Sequence, residues 1–404
     1  MKRVLAIVFA TLLLVAVGLA VRYQREIDRL AFAATLFSGA EQYESFARID
    51  EILPTVTMSA AEAPVAFPAG EPLSIPATFS YDGRTVDSEV FLTETDTSAL
   101  LVLRDGAVLH ERYMLTGGPE VRWLSMSVAK SFVSAVLGIA VDEGHIESID
   151  EPVTRYVPSL AGSAYDGVSI KDVLQMSSGA SWNEDYSDPD SDINRFGRVL
   201  AVGGSLEELA ATLEPELEPG TFNRYNSIDT SVLGLIVIRA TGRSLADYME
   251  EKLWKPLGTE SDAFWMVDDA GVEMAFGGLN ATARDYAKLG ELYRNGGVWH
   301  GQQIVPEAWV TASVTPDAPH LMPGENEASD FPMGYGYQWW IMDGDEGEYS
   351  AIGVYNQFIY VNPSKRLVIV KLSANSDYGT SDDESSYREF ETIELFRAIG
   401  DAAS

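Results

Sequence analysis

Ser127-Val128-Ala129-Lys130 opens the most continuously apolar segment of the chain outside the N-terminus, FVSAVLGIAV at residues 132–141. Apolar residues recur there at the i, i+3, i+4, i+7 spacing of a helix, namely Ala129, Phe132, Val133, Val136, Leu137 and Ala140. The remaining positions are nearly as apolar, so the pattern predicts a buried helix. Asp142-Glu143-Gly144 stops the run, and Gly144 suits the C′ position just past a helix end.

The serine and the lysine that open this segment form a candidate catalytic pair. Ser127 and Lys130 lie three residues apart, which places them on one helix face about one turn from each other. The positive end of the helix dipole and burial both disfavour a charged lysine, so both lower the pKa of Lys130. A neutral lysine can take the proton of a serine hydroxyl, and N–H groups at a helix N-terminus can hold the oxyanion formed on a carbonyl. The alternative is that Ser127 is only an N-cap and Lys130 a surface residue.

The composition limits the classes of partner and chemistry. The formal net charge of −33 and the isoelectric point near 4.3 argue against nucleic acid as a partner, because phosphate contacts need a basic surface. With 46% hydrophobic and 22% charged residues, the composition is that of an ordinary globular protein. The chain has no cysteine, which excludes thiol nucleophiles, disulfides, Cys-ligated metals and a lipoprotein anchor.

The N-terminus predicts export. Lys2-Arg3 precede an uncharged run from Val4 to Val21 that Arg22 closes, just long enough to span a bilayer. Residues 1–22 are therefore predicted to be a transmembrane anchor or signal segment, with the catalytic domain in the periplasm or outside the cell. Gly18-Leu19-Ala20 resembles a small-residue cleavage site, so secretion after signal cleavage stays open.

The pattern beyond the anchor predicts an α/β (α+β) fold. Residues 23–90 are interpreted as a juxtamembrane helix and a Pro/Ala-rich connector without a core of its own, and residues 91–404 as the catalytic domain. Hairpins are predicted at 98–113, around Asp105-Gly106, and at 355–372. Helices are expected at 206–213, 230–240 and 387–399. One antiparallel sheet built from both ends of this domain, flanked by helices, and a mostly helical subdomain are expected to enclose a site between them.

Histidine and metal chemistry are disfavoured. The four histidines, His110, His145, His300 and His320, lack the spacing of a zinc pair and occupy unlikely places for a Ser-His-Asp triad. No Gly-x-Ser-x-Gly elbow occurs. The acidic stretch 188–192 lacks the glycine and the bidentate glutamate of a calcium loop. We therefore predict neither a metal nor a cofactor.

Two further stretches are candidates for the site. Tyr225-Asn226-Ser227 precedes a predicted helix, and a tyrosine hydroxyl joined to a lysine and a serine can replace histidine in proton transfer. The structural alternative is an N-cap at Asn226 or Ser227 with a packed Tyr225. Gly353-Val354-Tyr355-Asn356-Gln357 reads as a strand, whose edge can supply the second N–H of an oxyanion hole.

These three stretches in this order resemble the serine β-lactamase and penicillin-binding-protein superfamily, with its β-lactamase/transpeptidase-like fold. The detail is most similar to the class C-like branch that contains the aminohexanoate-oligomer hydrolases and related esterases. The resemblance covers Leu92 to Ile399. It extends to the stretches at 123–132, 176–179, 183–186, 253–258 and 277–285.

The resemblance implies a role for each matching residue. Ser127 corresponds to the acylated nucleophile, Lys130 to its base and Tyr225 to the tyrosine that shares proton transfer. The backbone N–H groups of Ser127 and Gln357 are implied to form the oxyanion hole. Tyr186 corresponds to a tyrosine implicated in amide handling in the oligomer hydrolases.

Substrate contacts are further expected from Ser227, Tyr355 and Asn356, and two departures from the superfamily pattern bear on them. Tyr225-Asn226-Ser227 ends in serine, as in the oligomer hydrolases, whereas class C β-lactamases have asparagine there. The Lys-Thr-Gly-like position reads Val354-Tyr355-Asn356, without a cation for a substrate carboxylate and without a glycine, and Asn356 is expected to narrow the cleft.

The sequence thus predicts an exported, membrane-anchored serine hydrolase that cleaves a small-molecule ester or amide through an acyl-enzyme on Ser127. One alternative is a penicillin-binding-like DD-peptidase or β-lactamase, which the missing cation disfavours. The other is a non-catalytic binding protein that keeps the fold, which the complete set of Ser127, Lys130 and Tyr225 disfavours.

Overall fold

The computed structural model describes residues 41–195, 203–381 and 384–403, with a few positions before residue 41. Within these residues no helix has the length and apolarity needed to cross a bilayer. The predicted anchor at 1–22 lies, apart from Phe9, outside the described residues.

The strands and helices are numbered in chain order. The strands are β1 (Thr55–Met58), β2 (Thr78–Tyr81), β3 (Arg84–Asp87), β4 (Thr97–Arg104), β5 (Ala107–Tyr113), β6 (Trp123–Leu124), β7 (Ala263–Met266), β8 (Leu279–Ala281), β9 (Val298–Trp299), β10 (Gln302–Gln303), β11 (Gly334–Tyr335), β12 (Trp340–Ile341), β13 (Tyr349–Gly353), β14 (Gln357–Asn362) and β15 (Leu367–Ser373). The α-helices include α1 (Gln42–Phe46), α2 (Ser88–Glu94), α3 (Ala129–Asp142), α4 (Ile170–Leu174), α5 (Leu206–Ala210), α6 (Ser227–Thr241), α7 (Leu245–Met249), α8 (Ala283–Arg294), α9 (Glu307–Ser313), α10 (Glu384–Tyr387) and α11 (Glu389–Ala403).

A seven-stranded antiparallel sheet in the order β11-β12-β13-β14-β15-β4-β5 forms the centre of the molecule. It unites strands from both ends of the predicted domain, which confirms the predicted architecture. Alternate residues of β15 face opposite sides, so Val368 and Val370 join the core that contains α3, while Leu367 and Ile369 pack with α11. Asp105 and Gly106 both have positive φ, 52° and 73°, as a two-residue hairpin turn requires.

Helices α3 and α6 pack against each other beside this sheet. Helix α3 is buried on all sides from Ala129 to Ala140, as its continuous apolar pattern predicts. It ends at Asp142, and Gly144 follows with a φ of +77°, which confirms the predicted stop. Ser127 lies just before α3, in the 3₁₀ turn Met126–Val128.

The segment before residue 90, predicted to be a juxtamembrane helix and a connector, contributes a strand to the body of the domain. Strand β1 pairs with β7 in a second sheet of order β1-β7-β8-β6, and its Met58 is fully buried. The β-branched residues of Thr55-Val56-Thr57 suit this strand. Helix α1 places Phe46, also fully buried, against Trp123.

Candidate active site

Ser127 and Lys130 meet at the end of the 3₁₀ turn that leads into α3. Lys130 Nζ lies 2.8 Å from Ser127 Oγ, 3.1 Å from Ser227 Oγ and 2.8 Å from the carbonyl oxygen of Phe276. Ser127 is 7% exposed and Lys130 2% exposed. The residue before the serine, Met126, adopts a left-handed φ of 47°, which turns the chain sharply at this point.

Burial sets the ionisation of Lys130. Removal from water lowers its pKa to about 7, and the nearby charge of Glu184 opposes that shift. The ring centroid of Tyr225 lies 5.0 Å from Nζ. Neutral Lys130 is therefore populated near pH 7, and this is the form that can accept the proton of Ser127.

Tyr225 occupies the turn before α6, which Asn226 caps by accepting a 2.9 Å hydrogen bond from the N–H of Ile228. Its ring stacks on Trp340, with centroids 5.2 Å apart. Burial raises the pKa of the Tyr225 hydroxyl well above its usual value, while a hydrogen bond with Ser127 acts in the opposite direction. The structure thus brings Ser127, Lys130 and Tyr225 together, as the sequence predicted.

Glu184 is a site residue that the sequence reasoning did not single out. Its Oε1 accepts hydrogen bonds from Ser227 Oγ at 2.6 Å and from the Tyr186 hydroxyl at 2.8 Å. Its Oε2 accepts from the N–H of Ser227 at 3.1 Å and from the indole N–H of Trp182. The stretch 183–186 had been noted only as part of the resemblance, and a contact across 43 residues leaves no mark in local periodicity.

Strand β13 ends against the nucleophile at Gly353. A Cβ on this glycine would lie 2.7 Å from Ser125 O and 3.0 Å from Ser127 N, so only glycine fits without a shift. Gly353, the first residue of the stretch 353–357, is therefore the glycine that lies beside the nucleophile, one position before Val354-Tyr355-Asn356. The next residue, Val354, lines the substrate cavity.

Gln357 does not take the position expected of an oxyanion-hole residue. It pairs with Gly353 across the hairpin and is fully buried outside the cavity lining. Its side chain accepts hydrogen bonds from Trp123 Nε1 at 3.1 Å and Ser373 N at 3.0 Å. These contacts give the side chain of Gln357 a structural role.

Tyr355 and Asn356 also lie outside the cavity lining, so their predicted substrate contacts are not supported. Both have left-handed φ values, 64° and 65°, and form the turn between β13 and β14. The ring of Tyr355 stacks on Phe37 at 5.8 Å. The amide of Asn356 donates to the carbonyl oxygen of Tyr387 at 2.8 Å, so it does not narrow the cleft.

A cavity of about 770 Å³ opens above Ser127. Its described lining includes seven carboxylates, Glu184, Asp185, Asp192, Glu216, Asp330, Glu384 and Glu389. Arg224 is the one basic residue in that described lining, and it pairs with Glu216 at 2.9 Å and with Asp330 at 3.3 Å. Burial raises the pKa of both Glu384 and Glu389 to about 7.

The described residues contain no cluster of histidine, aspartate or glutamate arranged to hold a metal ion. No histidine belongs to the described lining of the cavity. His320 is buried, with Nε2 3.1 Å from Ser177 Oγ, and burial lowers its pKa. In the stretch 188–192, Asp192 accepts a 2.9 Å hydrogen bond from the N–H of Asn183.

The antiparallel sheet, the helical subdomain and the Ser-x-x-Lys pair between them define the serine hydrolases of the β-lactamase fold. The chain belongs to the family described as Beta-lactamase, whose model matches residues 92–393. It is 38% identical over 344 residues to a 6-aminohexanoate-dimer hydrolase of Paenarthrobacter ureafaciens, covering 83% of this chain and 86% of that protein. The predicted family, fold class and hydrolase activity are thereby confirmed.

Solved structures agree on the fold. The structure titled "Putative 6-aminohexanoate-dimer hydrolase from Bacillus anthracis" is 22% identical, with a TM-score of 0.79 over 90% of this chain and 96% of that one. EstCE1, described as a hydrolase with promiscuous acyltransferase activity, is 16% identical, with a TM-score of 0.60 over 78% of this chain and 96% of its own. At these identities the likeness concerns the fold alone.

Proposed function

We propose that the protein hydrolyses a small-molecule amide or ester through an acyl-enzyme on Ser127. The observation that carries this proposal is the 2.8 Å contact between Lys130 Nζ and Ser127 Oγ at a buried lysine. Burial places the pKa of that lysine at about 7, where a general base works best at neutral pH.

The reaction follows from the positions of three side chains. Neutral Lys130 takes the hydroxyl proton of Ser127 while Oγ forms a bond to the substrate carbonyl carbon. The tetrahedral intermediate collapses, the bond to the leaving amine or alcohol breaks, and the Lys130/Tyr225 pair returns the proton to that leaving group. A water deprotonated by the same pair then attacks the acyl-enzyme, which releases the acid and restores the Ser127 hydroxyl.

The oxyanion is held by backbone N–H groups. The N–H of Ser127 is one donor, as predicted, and we assign the second to Val354 in place of Gln357. Val354 lines the cavity directly after Gly353, whose backbone packs against Ser127 N. Donors fixed in this way stabilise charge that develops in the transition state without reorganisation.

The charge of the cavity indicates the substrate class. Seven described lining carboxylates disfavour a substrate that presents a carboxylate, and Arg224 is already paired with two of them. This disfavours β-lactams and peptidoglycan stem peptides as substrates. The 38% identical relative is named for a 6-aminohexanoate dimer, a linear amide that carries an ammonium group at one end and a carboxylate at the other. It supports an amide as one substrate, and the acidic cavity favours binding through the ammonium end.

Intact-mass spectrometry of the domain from residue 23 onward tests the nucleophile. A fluorophosphonate is expected to add one adduct, which disappears in Ser127→Ala together with turnover of p-nitrophenyl acetate. Turnover of 6-aminohexanoate dimer beside nitrocefin ranks the substrate classes, and faster nitrocefin cleavage favours the β-lactamase alternative. A folded protein that forms no adduct, or keeps it in the variant, contradicts the proposal and favours a binding protein.

We also propose that residues 1–22 anchor the domain in the membrane, with the catalytic part exported. The support is the uncharged run from Val4 to Val21 between basic residues. Fractionation of expressing cells, with mass spectrometry of the N-terminal peptide, tests this. A carbonate-resistant membrane protein that retains Met1 is expected, whereas a soluble protein beginning after Ala20 supports a cleaved signal.

A further inference from the structure

The carboxylate of Glu184 is connected to the proposed base Lys130 through the hydroxyl of Ser227. Four donors converge on its two oxygens, from the side chains of Trp182, Tyr186 and Ser227 and from the backbone of Ser227. Ser227 is 1% exposed and Lys130 2% exposed, so bulk water does not replace these contacts. Glu184 itself lies in the cavity wall.

The direction of each hydrogen bond follows from the chemistry of the groups. An ionised carboxylate can only accept hydrogen bonds. The Ser227 hydroxyl therefore donates its single proton to Glu184 Oε1 at 2.6 Å. The oxygen of that hydroxyl must then accept from Lys130 Nζ at 3.1 Å. Ser227 is therefore fixed as an acceptor toward the lysine.

This direction determines where the lone pair of a neutral lysine points. A neutral amine has two N–H donors and one lone pair, and the carbonyl oxygen of Phe276 takes one donor at 2.8 Å. Ser227 takes the other, which leaves the lone pair for the hydroxyl of Ser127 at 2.8 Å. A Ser227 hydroxyl free to rotate toward Lys130 would instead compete for that lone pair.

We infer that Glu184 is a positioning residue that acts through Ser227 to aim the lone pair of neutral Lys130 at Ser127. The inference rests on the proposed function, in which Lys130 is the base. It also gives Ser227, which was predicted to contact substrate, a place in the proton-transfer network.

The charge of Glu184 has a second effect that an experiment can separate from positioning. It favours the protonated form of Lys130, so neutralising it lowers the lysine pKa further. The charge of Glu184 also raises the pKa of four further groups, Tyr186, Tyr225, Tyr335 and Asp229. Of these, burial raises the pKa of Asp229 to about 7, so it titrates in the same range as Lys130.

Glu184→Gln keeps the size of the side chain and removes its charge. We expect kcat to fall about tenfold or more with KM little changed, because general-base assistance contributes on the order of 10²- to 10⁴-fold. The acid limb of the pH profile of kcat/KM is expected to move to lower pH. Asp188→Asn is the matched control, since Asp188 lies in the same loop outside the described cavity lining and is expected to leave both quantities unchanged.

A double-mutant cycle with Ser227→Ala tests whether Glu184 acts through the serine. Glu184→Gln in the Ser227→Ala background is expected to cause little further loss of kcat, whereas a purely structural loop contact predicts additive losses. Asp229→Asn is expected to retain the acid limb of the pH profile of kcat/KM. If this limb disappears in Asp229→Asn, it belongs to Asp229, and the inference is overturned. Melting temperatures identify variants that fail to fold, and if Glu184→Gln is one of them, a loss of kcat with little change of KM in Ser227→Ala tests the same hydrogen-bonded connection.

The two levels of proposal fail in different ways. If Ser127→Ala stays active, Ser127 is not the nucleophile and Lys130 is not its base, which overturns the proposed function. The role of Glu184 alone is overturned if Glu184→Gln is labelled normally at Ser127, keeps the wild-type kcat and shows no shift of the acid limb.

Discussion

The lysine that would serve as base is unusual because the fold keeps it out of water with no carboxylate in direct contact in the described structure. Its hydrogen-bond partners in the described structure are two hydroxyl oxygens and a carbonyl oxygen. Such neutral acceptors compensate little of the cost of burying a charge, so the neutral amine is favoured.

Activity is therefore expected to rise with pH through about 7. The neutral form of Lys130 is the active one, and its pKa lies at about 7, so kcat/KM for a neutral ester increases as the proton leaves. A stopped assay of p-nitrophenyl acetate hydrolysis from pH 5 to 9, corrected for the uncatalysed rate, measures this. Lys130→Met should abolish the titrating activity, and a profile that is flat across pH 7 would show that another group is the base.

Gly353→Ala is expected to reduce activity on the order of 100-fold, since an added methyl 3.0 Å from Ser127 N displaces the nucleophile or the oxyanion donors. Kinetics and the rate of fluorophosphonate labelling measure the loss. Gly277→Ala is the control, because its methyl would lie at an ordinary 3.5 Å from Met126. Equal losses in the two variants would remove the close approach as the cause.

At the scale of elements, the turn between β13 and β14 is held by parts of the chain remote in sequence. Consecutive left-handed residues such as Tyr355 and Asn356 cost about 1–2 kcal/mol each. Phe46 from α1 contacts Tyr355 edge-on at 5.4 Å, and Asn375 donates to Asn356 Oδ1 at 2.9 Å. The N-terminal segment thus supports the turn that follows Val354.

Phe46→Ala is expected to lower the free energy of unfolding by about 3–5 kcal/mol and to slow acylation, because Phe46 is fully buried against that turn. Denaturant titration and labelling rates measure the two effects. Phe37→Ala is a graded control, since Phe37 is 42% exposed and also stacks on Tyr355, and it should cost about 1 kcal/mol. A Phe46 variant that is destabilised but acylates at the normal rate would separate the segment from the site.

Strand β15 carries another buried lysine, Lys371, whose Nζ donates to Ser373 Oγ at 2.6 Å. Burial lowers its pKa well below the usual value, so the unfolded chain binds a proton there that the folded chain does not. Lys371→Met is therefore expected to be more stable than the wild type. Its advantage should widen by about 1.4 kcal/mol per pH unit as pH falls from 10 toward the lowered pKa. Denaturant melts at several pH values test this, and a constant difference would indicate that Lys371 stays charged.

At the scale of the whole molecule, the charge of −33 and the acidic cavity act in the same direction. They repel anions and attract cations over distances that salt screens. We expect kcat/KM for a carboxylate-bearing p-nitrophenyl ester to rise between about 10 and 300 mM NaCl and that for its neutral analogue to stay constant. If the carboxylate-bearing ester instead reacts fastest at low salt, a positively charged side chain near the cavity attracts its carboxylate, which contradicts the prediction.

Much of the fold was predictable because it depends on local signals. Asp105-Gly106 specifies a hairpin turn, continuous apolarity specifies a buried α3, and Gly144 specifies its end. Strand β1 was missed because a four-residue strand shows no distinctive period, and its partner strand lies 205 residues away in the sequence at the pair Met58 and Ala263. The number of prolines around it favoured a connector.

The sequence by itself determined the reacting pair. A spacing of three residues places Ser127 and Lys130 on the same face of a helical turn, so their side chains can meet. Only the tertiary structure decided what surrounds them. It selected Gly353 as the close neighbour of Ser127, turned Tyr355 and Asn356 away from the cavity, and brought Glu184 to Ser227. The physical reason is that burial and long-range hydrogen bonds depend on how distant segments pack, which local periodicity does not encode.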